Sequence, residues 1–445
     1  MTRLPLLLLV MCLAAASCGD EQIPMVGPED VDTGGGDTDS DADSETSDTE
    51  DTDSETGDTE SEAPPATWTV MMYEDGDNNL EQVLFDDVNE TERATIPENV
   101  NVIVLYDRAE GYSEADGDWQ GAKLFRITHD EDMTAIHSER LADPDFLGLT
   151  DTSDGGEEID MGSGGTLEAF IDYCQAAFPA EAYILHVSDH GNGWSKGPEG
   201  DADARPIFKG ICSDDESGNT LSMSTGFPPA IAGKGIAAIT FDACLLGSIE
   251  IAWSVRNDAE FMGASVMSIP DTGFEYEATF DNWFAGPLTA RRWVEASVEA
   301  FQAFYSTQSS VGFTAVDVRS MDGEFGPAIA AFLDAASGAD AEAMKAAKLE
   351  AVTPQPFGWD GMIDFLDLVD RTGAVIGGEA PGALVDAFDS LIVAEWYSSD
   401  LDDIGPLSIY APREAIFGFG GYDEAYELTP FDVDTGWHEF IVPLI

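Results

Sequence analysis

Positive charge is what this chain has least of. Eighteen Lys and Arg stand against 88 Asp and Glu among 445 residues, a formal net charge of −70. Nucleic-acid binding needs cationic side chains to displace phosphate counterions, so that class of partner is excluded. An anionic membrane surface repels such a body as well. A substrate carrying positive charge is the partner its field favours. The same acidity also keeps a surface solvated. Long apolar runs are scarce too. The longest near the amino terminus, residues 4–16, is shorter than the ~20 residues that span a bilayer. Cysteine is limited to Cys12, Cys18, Cys174, Cys212 and Cys244.

That short apolar run follows Arg3 and ends in Ala15, Ala16 and Ser17, the layout of an export signal. Cys18 then stands where a bacterial lipoprotein signal places its lipidated cysteine; a plain secretory signal is the other reading. The expected location is the cell envelope, anchored through Cys18, or secreted. Export leaves three cysteines in an oxidising compartment, an odd number.

Residues 18–66 form a spacer. The stretch DTDSDADSETSDTEDTDSETGDTESE (37–62) is nearly devoid of apolar side chains. It cannot bury enough surface to offset chain entropy and is expected to be disordered and extended by self-repulsion. Its Asp-x-Asp spacing imitates calcium loops, but no register supplies both the glycine and the final glutamate that an EF-hand requires.

From residue 67 the texture changes. Apolar strands are expected at 68–73, 101–106, 182–187, 236–241, 261–266 and 311–316. Helices are expected at 79–93, 166–178, 246–255 and 290–305. Such alternation implies an α/β fold with a mainly parallel sheet and helices on both faces over 67–320. Residues 321–445 read as helix-rich, packed on the first part, with helices expected at 325–336, 341–351, 362–369 and 383–394.

In such sheets chemistry gathers at the carboxyl ends of strands. The third strand runs into Ser188-Asp189-His190-Gly191, and the fourth into Asp242-Ala243-Cys244 before a helix. The first delivers an imidazole with a glycine that permits close backbone approach. The second delivers a thiol where a helix amino terminus favours thiolate. Cys beside His is the minimum for nucleophilic catalysis. On spacing alone the bland reading competes: a core thiol and a turn histidine. His186 and His190, four apart on a strand, lie ~13 Å from each other, too far to share zinc. Cys174 reads as core, and Cys212 as an inert thiol or a bridge to Cys174. His129, His137 and His438 read as structural. The acidic loop Glu74-Asp75-Gly76-Asp77-Asn78 offers hard oxygens to calcium; its alternative is a turn in which Asn78 or Asn79 caps the next helix.

The segments YILHVSDHGNGW (183–194) and ITFDACLLGSIEIA (239–252) closely resemble the signature segments of the clostripain-like cysteine peptidases, relatives of caspases, gingipains and legumains. WTVMMYEDGDNNLE (68–81), FMGASVMSIPDTGFEY (261–276), GPLSIYAP (405–412) and TGWHEF (435–440) extend the likeness in order across most of 67–445. The resemblance implies a caspase-like fold and an endopeptidase that cuts after Arg or Lys. Cys244 matches its nucleophile and His190 its acid/base, with no third member required. The amides of Gly191 and Cys244 match the oxyanion hole. Asp242 matches the acidic position of the first substrate pocket. Asp271, in the next strand-end loop, is a second candidate, although relatives more often carry Gly and Trp near that point. No cofactor is required by the resemblance; some relatives need calcium. Some also cut themselves between the His and Cys strands. Here the joining stretch 195–234 holds Lys196, Arg205, Lys209 and Lys234, and Lys209 before Gly210 is the best candidate. The competing class is a non-catalytic surface binding protein that keeps the fold. Retention of both His190 and Cys244 favours the enzyme.

Overall fold

The computed structural model describes residues 66–142, 146–147, 149, 156–193, 210–354, 361–412 and 425–445. All fall within one unit, Pro65–Ile445. The export segment, the acidic spacer, Cys18 and Lys209 lie outside the described residues.

Nine strands form the main sheet. In chain order these are β1 (Ala66–Gly76), β2 (Val100–Arg108), β3 (Lys123–Arg126), β4 (Glu139–Leu141), β5 (Ala180–Ser188), then β8 (Ile236–Asp242), β9 (Phe261–Ala264), β10 (Gly312–Asp317) and β12 (Ile392–Tyr397). Two small ladders use β6 (Ile211–Ser213) with β7 (Thr220–Leu221), and β11 (Met362–Asp364) with β13 (Ser408–Tyr410). The sheet order is β12-β10-β9-β8-β5-β1-β2-β3-β4. The central five strands, β2 to β9, run parallel; the outer pairings are antiparallel. The fold is α/β and caspase-like.

Strands buried on both faces read as nearly continuous apolar runs. Alternation then sends successive side chains to opposite layers. Met71 and Tyr73 of β1 and Ile239 and Phe241 of β8 join one cluster; Val70, Met72 and Ala238 join the other. The first layer holds α2 (Gly164–Ala177), α3 (Phe227–Ile231) and α4 (Ile249–Val255), through Leu167, Phe170, Phe227 and Trp253. The second holds α1 (Glu81–Arg93), α5 (Tyr276–Phe284) and α6 (Ala290–Tyr305), through Phe85, Phe280, Trp293 and Phe301. Residues beyond 320 share the first layer's core: Phe325, Phe365, Phe388 and Trp437 are all fully buried in it.

Two stretches read as pure helix contain strands. Residues 362–364 form β11 ahead of a helix over Phe365–Ile376. Ile392–Tyr397 forms β12, the sheet's edge, after a helix over Ala380–Asp389. Pairing with β10 stabilises Ile392–Tyr397 as a strand; that partner is about 80 residues away in the chain, and local periodicity does not report it.

One buried ion pair fixes the loop after β1. The Arg108 Nε at the end of β2 donates to Glu81 Oε1 at 2.6 Å, both side chains fully buried. Removing one partner of such a pair costs about 3–5 kcal/mol, because the other is left charged and unpaired. Glu81 is the first residue of α1, so the pair ties the turn Asp77-Asn78-Asn79-Leu80 to the sheet.

Candidate active site at the strand ends

The chain turns from β1 to β2 on one side of the sheet, then returns to place β5 and β8 on the other. The carboxyl ends of β1, β5 and β8 therefore face a crevice where strand order reverses. Register brings Glu74 level with Ser188, and Ser188 level with Asp242.

His190 is half-buried, two residues past β5. Its Nε2 lies 3.0 Å from the Asn79 Oδ1. A bond from Nε2–H to that oxygen selects the tautomer in which Nδ1 is the basic nitrogen. Asn79 was legible only as a helix cap. Neither asparagine caps the helix: Leu80 is the residue before α1 and has no side-chain cap, and Asn78 instead closes the preceding turn, its Oδ1 accepting from Leu80 N at 2.8 Å. Asn78 also donates to the Asp189 Oδ1 at 2.8 Å, and Asp189 Oδ2 accepts from Ser213 N. Asp189 N donates to the Asp242 carbonyl at 3.3 Å. The His loop is thus held from three sides.

Cys244 is half-buried, two residues past β8. Ile269 N donates to its sulfur at 3.3 Å, and the sulfur lies 3.6 Å from Ile269 O. An amide N–H aimed at sulfur is the donor a thiolate needs. No sequence signal marked Ile269. The helix expected directly after the thiol begins later: α4 starts at Ile249, with Ser248 as its cap. Leu245, at φ 64°, and Gly247, packed on the Ser265 and Val266 backbone, make a turn first. A turn thus separates Cys244 from the helix amino terminus.

Gly191 joins the two ends. A Cβ there would lie 2.2 Å from the Cys244 carbonyl oxygen and 2.7 Å from its nitrogen. Only glycine admits this approach, and it places the His190 segment against the Cys244 backbone.

Asp242 is buried beneath. Its Oδ2 accepts from Phe274 N at 2.7 Å and from Tyr276 OH at 3.0 Å. Burial raises its pKa to about 6, opposed by these bonds. Alternation puts Glu74 and Asp242 on the same face, with Asp87 of α1 close by. Burial, then the Asp242 charge, raises Glu74; burial, then Asp242 and Glu74, raises Asp87. Glu74 entered the sequence reading only as part of the acidic loop, and Asp87 did not enter it. Asp271 is exposed. Its turn is pinned by Tyr305, whose OH donates to the Gly273 carbonyl at 2.6 Å.

His186 belongs to the core. Its Nδ1 and Nε2 lie 2.9 Å from the hydroxyls of Thr240 and Tyr276, and burial lowers its pKa to about 3. It is neutral at working pH. Cys174 and Cys212 are both free and buried, so no bridge joins them. Of the acidic loop, Asp77 gathers with Glu158 and Asp214, their carboxylate oxygens all within 4.8 Å of one another.

A thiol and an imidazole just past the ends of adjacent parallel strands mark the candidate site of this α/β fold. The chain belongs to the clostripain family, whose model matches residues 72–318. It is 30% identical over 236 residues to clostripain of Hathewaya histolytica, a match spanning 49% of this chain and 42% of that relative. The chain thus covers less than half of that relative's length. The fold is similar to an inactive zymogen C11 protease from Parabacteroides distasonis, with TM-score 0.62 and 20% identity over 84% of this chain and 99% of that one. It is also similar to a secreted C11 cysteine protease from Bacteroides thetaiotaomicron in complex with an irreversible peptide inhibitor, with TM-score 0.63 and 18% identity over 84% and 100%.

Proposed function

We propose that this protein is a cysteine endopeptidase that cleaves after Arg or Lys, using a Cys244–His190 dyad. The observation that carries this reading is the backbone contact between Gly191 and Cys244, which brings the two strand-end segments together. Thiolate attacks the scissile carbonyl. His190 protonates the leaving amine, then activates the water that releases the acyl group. The amides of Gly191 and Cys244 stabilise the oxyanion; donors of this kind contribute ~2.7–4 kcal/mol each.

Preference for a basic residue rests on Asp242, with Glu74 and Asp87 behind it. Three buried carboxylates without a basic partner among their strongest electrostatic influences are costly alone, and a guanidinium or ammonium relieves that cost. Asp242→Asn is expected to lower kcat/KM on Arg peptides about 10-fold or more beyond its effect on uncharged ones. The sign with pH follows from a raised carboxyl pKa. Asp242 is charged above about 6 and neutral below it. The ratio of Arg to uncharged cleavage should therefore fall as pH drops through this range, and be flat in Asp242→Asn. Equal losses on both substrates would mean that Asp242 only orders the loop at Phe274 and Tyr276.

We place the protein outside the cytoplasm, tethered through a lipid on Cys18. Cys18→Ala should release it from the membrane fraction or leave it unprocessed. Wholly soluble wild-type protein with another amino terminus would contradict the tether.

A further inference from the structure

Strand register sets three polar side chains in one layer of the core. His186 of β5 stands level with Thr240 of β8, and two residues on Ser188 stands level with Asp242. Side chains two apart on a strand share a face, so His186 and Thr240 enter the same layer as Asp242. There buried groups from β5, β8, α5 and α6 form one unbroken line. Trp293 Nε1 donates to the Thr240 Oγ1 at 3.2 Å. That oxygen lies 2.9 Å from His186 Nδ1, and His186 Nε2 lies 2.9 Å from the Tyr276 hydroxyl. The Tyr276 hydroxyl donates to Asp242 Oδ2 at 3.0 Å. We propose that His186 is a positioning residue for the selection of basic substrates, holding the Tyr276 hydroxyl onto the Asp242 carboxylate. The proposal rests on the reading of Asp242 as the carboxylate that receives Arg or Lys.

The two ends of the line fix the direction of every bond in it. An indole N–H only donates, and an ionised carboxylate only accepts. Tyr276 has one hydroxyl proton, and Asp242 takes it. The Tyr276 oxygen then accepts from His186, whose proton sits on Nε2. His186 Nδ1 is left bare and accepts from Thr240, whose oxygen accepts from Trp293. The opposite tautomer would turn the Tyr276 proton toward His186. It would leave the Tyr276 and Asp242 oxygens 3.0 Å apart with no proton between them. Burial lowers the His186 pKa to about 3, so the ring stays neutral and can hold one tautomer.

Packing holds the ring in place for this task. Its centroid lies 5.3 Å from that of Tyr276, edge-on at 87°, and 5.4 Å from that of Phe274. Phe274 N and Tyr276 OH are the two donors to Asp242 Oδ2, and neither of these bonds engages Oδ1. His186 thus stands behind both donors while bonding one of them. An apolar residue of similar size would fill the space but leave the Tyr276 oxygen a buried acceptor without a donor, which is costly. Bonds in such a line also strengthen one another, so a change at His186 is felt at Asp242.

The test uses full-length protein with His186→Gln, His186→Asn, Tyr276→Phe and the double variant His186→Asn with Tyr276→Phe. Glutamine puts an amide N–H near the place of Nε2; asparagine is one methylene shorter and reaches only the place of Nδ1. The reading is the ratio of kcat/KM on Arg and uncharged peptides, which cancels any shared loss of folded enzyme. His186→Asn should lower the ratio about 5-fold, mainly through KM for the Arg peptide, and Tyr276→Phe about 10-fold. His186→Gln should restore it to within about 2-fold of wild type, and the double variant should match Tyr276→Phe, because residues acting through one bond do not add. Imidazole NMR of isotope-labelled protein gives a readout independent of turnover. The chain has five histidines, and His186 is assigned by the signal lost in His186→Gln. It should be the neutral Nε2–H tautomer at neutral pH, with its resonances displaced in Tyr276→Phe. Should His186→Asn fail to fold, Tyr276→Phe, which keeps the packed ring, and the tautomer decide. An Nδ1–H tautomer, or fully additive losses in the double variant, overturns the proposal. So does a wild-type ratio in His186→Asn while Asp242→Asn loses its Arg preference, an outcome that leaves the pocket reading intact. Asp242→Asn with an unchanged ratio overturns the pocket reading itself, and with it any part for His186 in selection.

Discussion

Cys244→Ala is expected to lower peptide hydrolysis on the order of 10⁴-fold or more. On the function proposed above, the thiol forms the acyl intermediate, and its loss leaves only binding and the oxyanion donors. Cys174→Ala and Cys212→Ala set the contrast. Both thiols are fully buried, and burial raises both pKa values well above the usual range. Neither can supply thiolate, so both variants should keep most activity. They should lose only about 1 kcal/mol of stability, from one small side chain trimmed in a packed core. Gel analysis of the same proteins reads the proposed self-cleavage. Active wild type should yield a new amino terminus at Gly210, after Lys209, while Cys244→Ala stays whole. Substantial hydrolysis by purified Cys244→Ala would remove the nucleophile assignment. A fully active wild type that remains one chain would remove only the cleavage.

Gly191→Ala is expected to fold and to lose about 100-fold in kcat/KM. The added methyl meets the carbonyl oxygen and nitrogen of Cys244, which are backbone and cannot swing aside. Overpacking of this kind costs typically 1–3 kcal/mol. Displacement of about 1 Å between reacting groups can cost 10²-fold in rate. The variant separates these effects, because melting temperature reports the first and single-turnover kinetics the second. A variant with wild-type turnover would show that the Gly191–Cys244 approach does not position the dyad.

Much of this arrangement was readable from local signals. Apolar runs bounded by polar turns marked the central strands to within three residues: 68–73 lies within β1, and 236–241 within β8. These strands are buried on both faces, so their composition alone betrays them. The ends of β5 and β8 were likewise visible as a histidine and a cysteine just past apolar runs, and the resemblance implied their roles.

What stayed hidden depends on residues far apart in the chain. Local sequence was enough to read a strongly acidic chain with an alternating α/β body and two strand ends that carry thiol and imidazole. Each of those follows from contiguous composition or period. Only the tertiary structure decided that Ile392–Tyr397 is an edge strand, because the stabilising partner is β10 and not a neighbour. Only it decided that Asn79 orients His190 and that Ile269 N serves the Cys244 sulfur. Only it sorted more than eighty indistinguishable acids into Asp242 with Glu74 and Asp87 on one face, and Asp77 with Glu158 and Asp214 on the other. A carboxylate's role is set by what buries it and which charges surround it, and both are supplied by strands and loops that meet only when the sheet has formed.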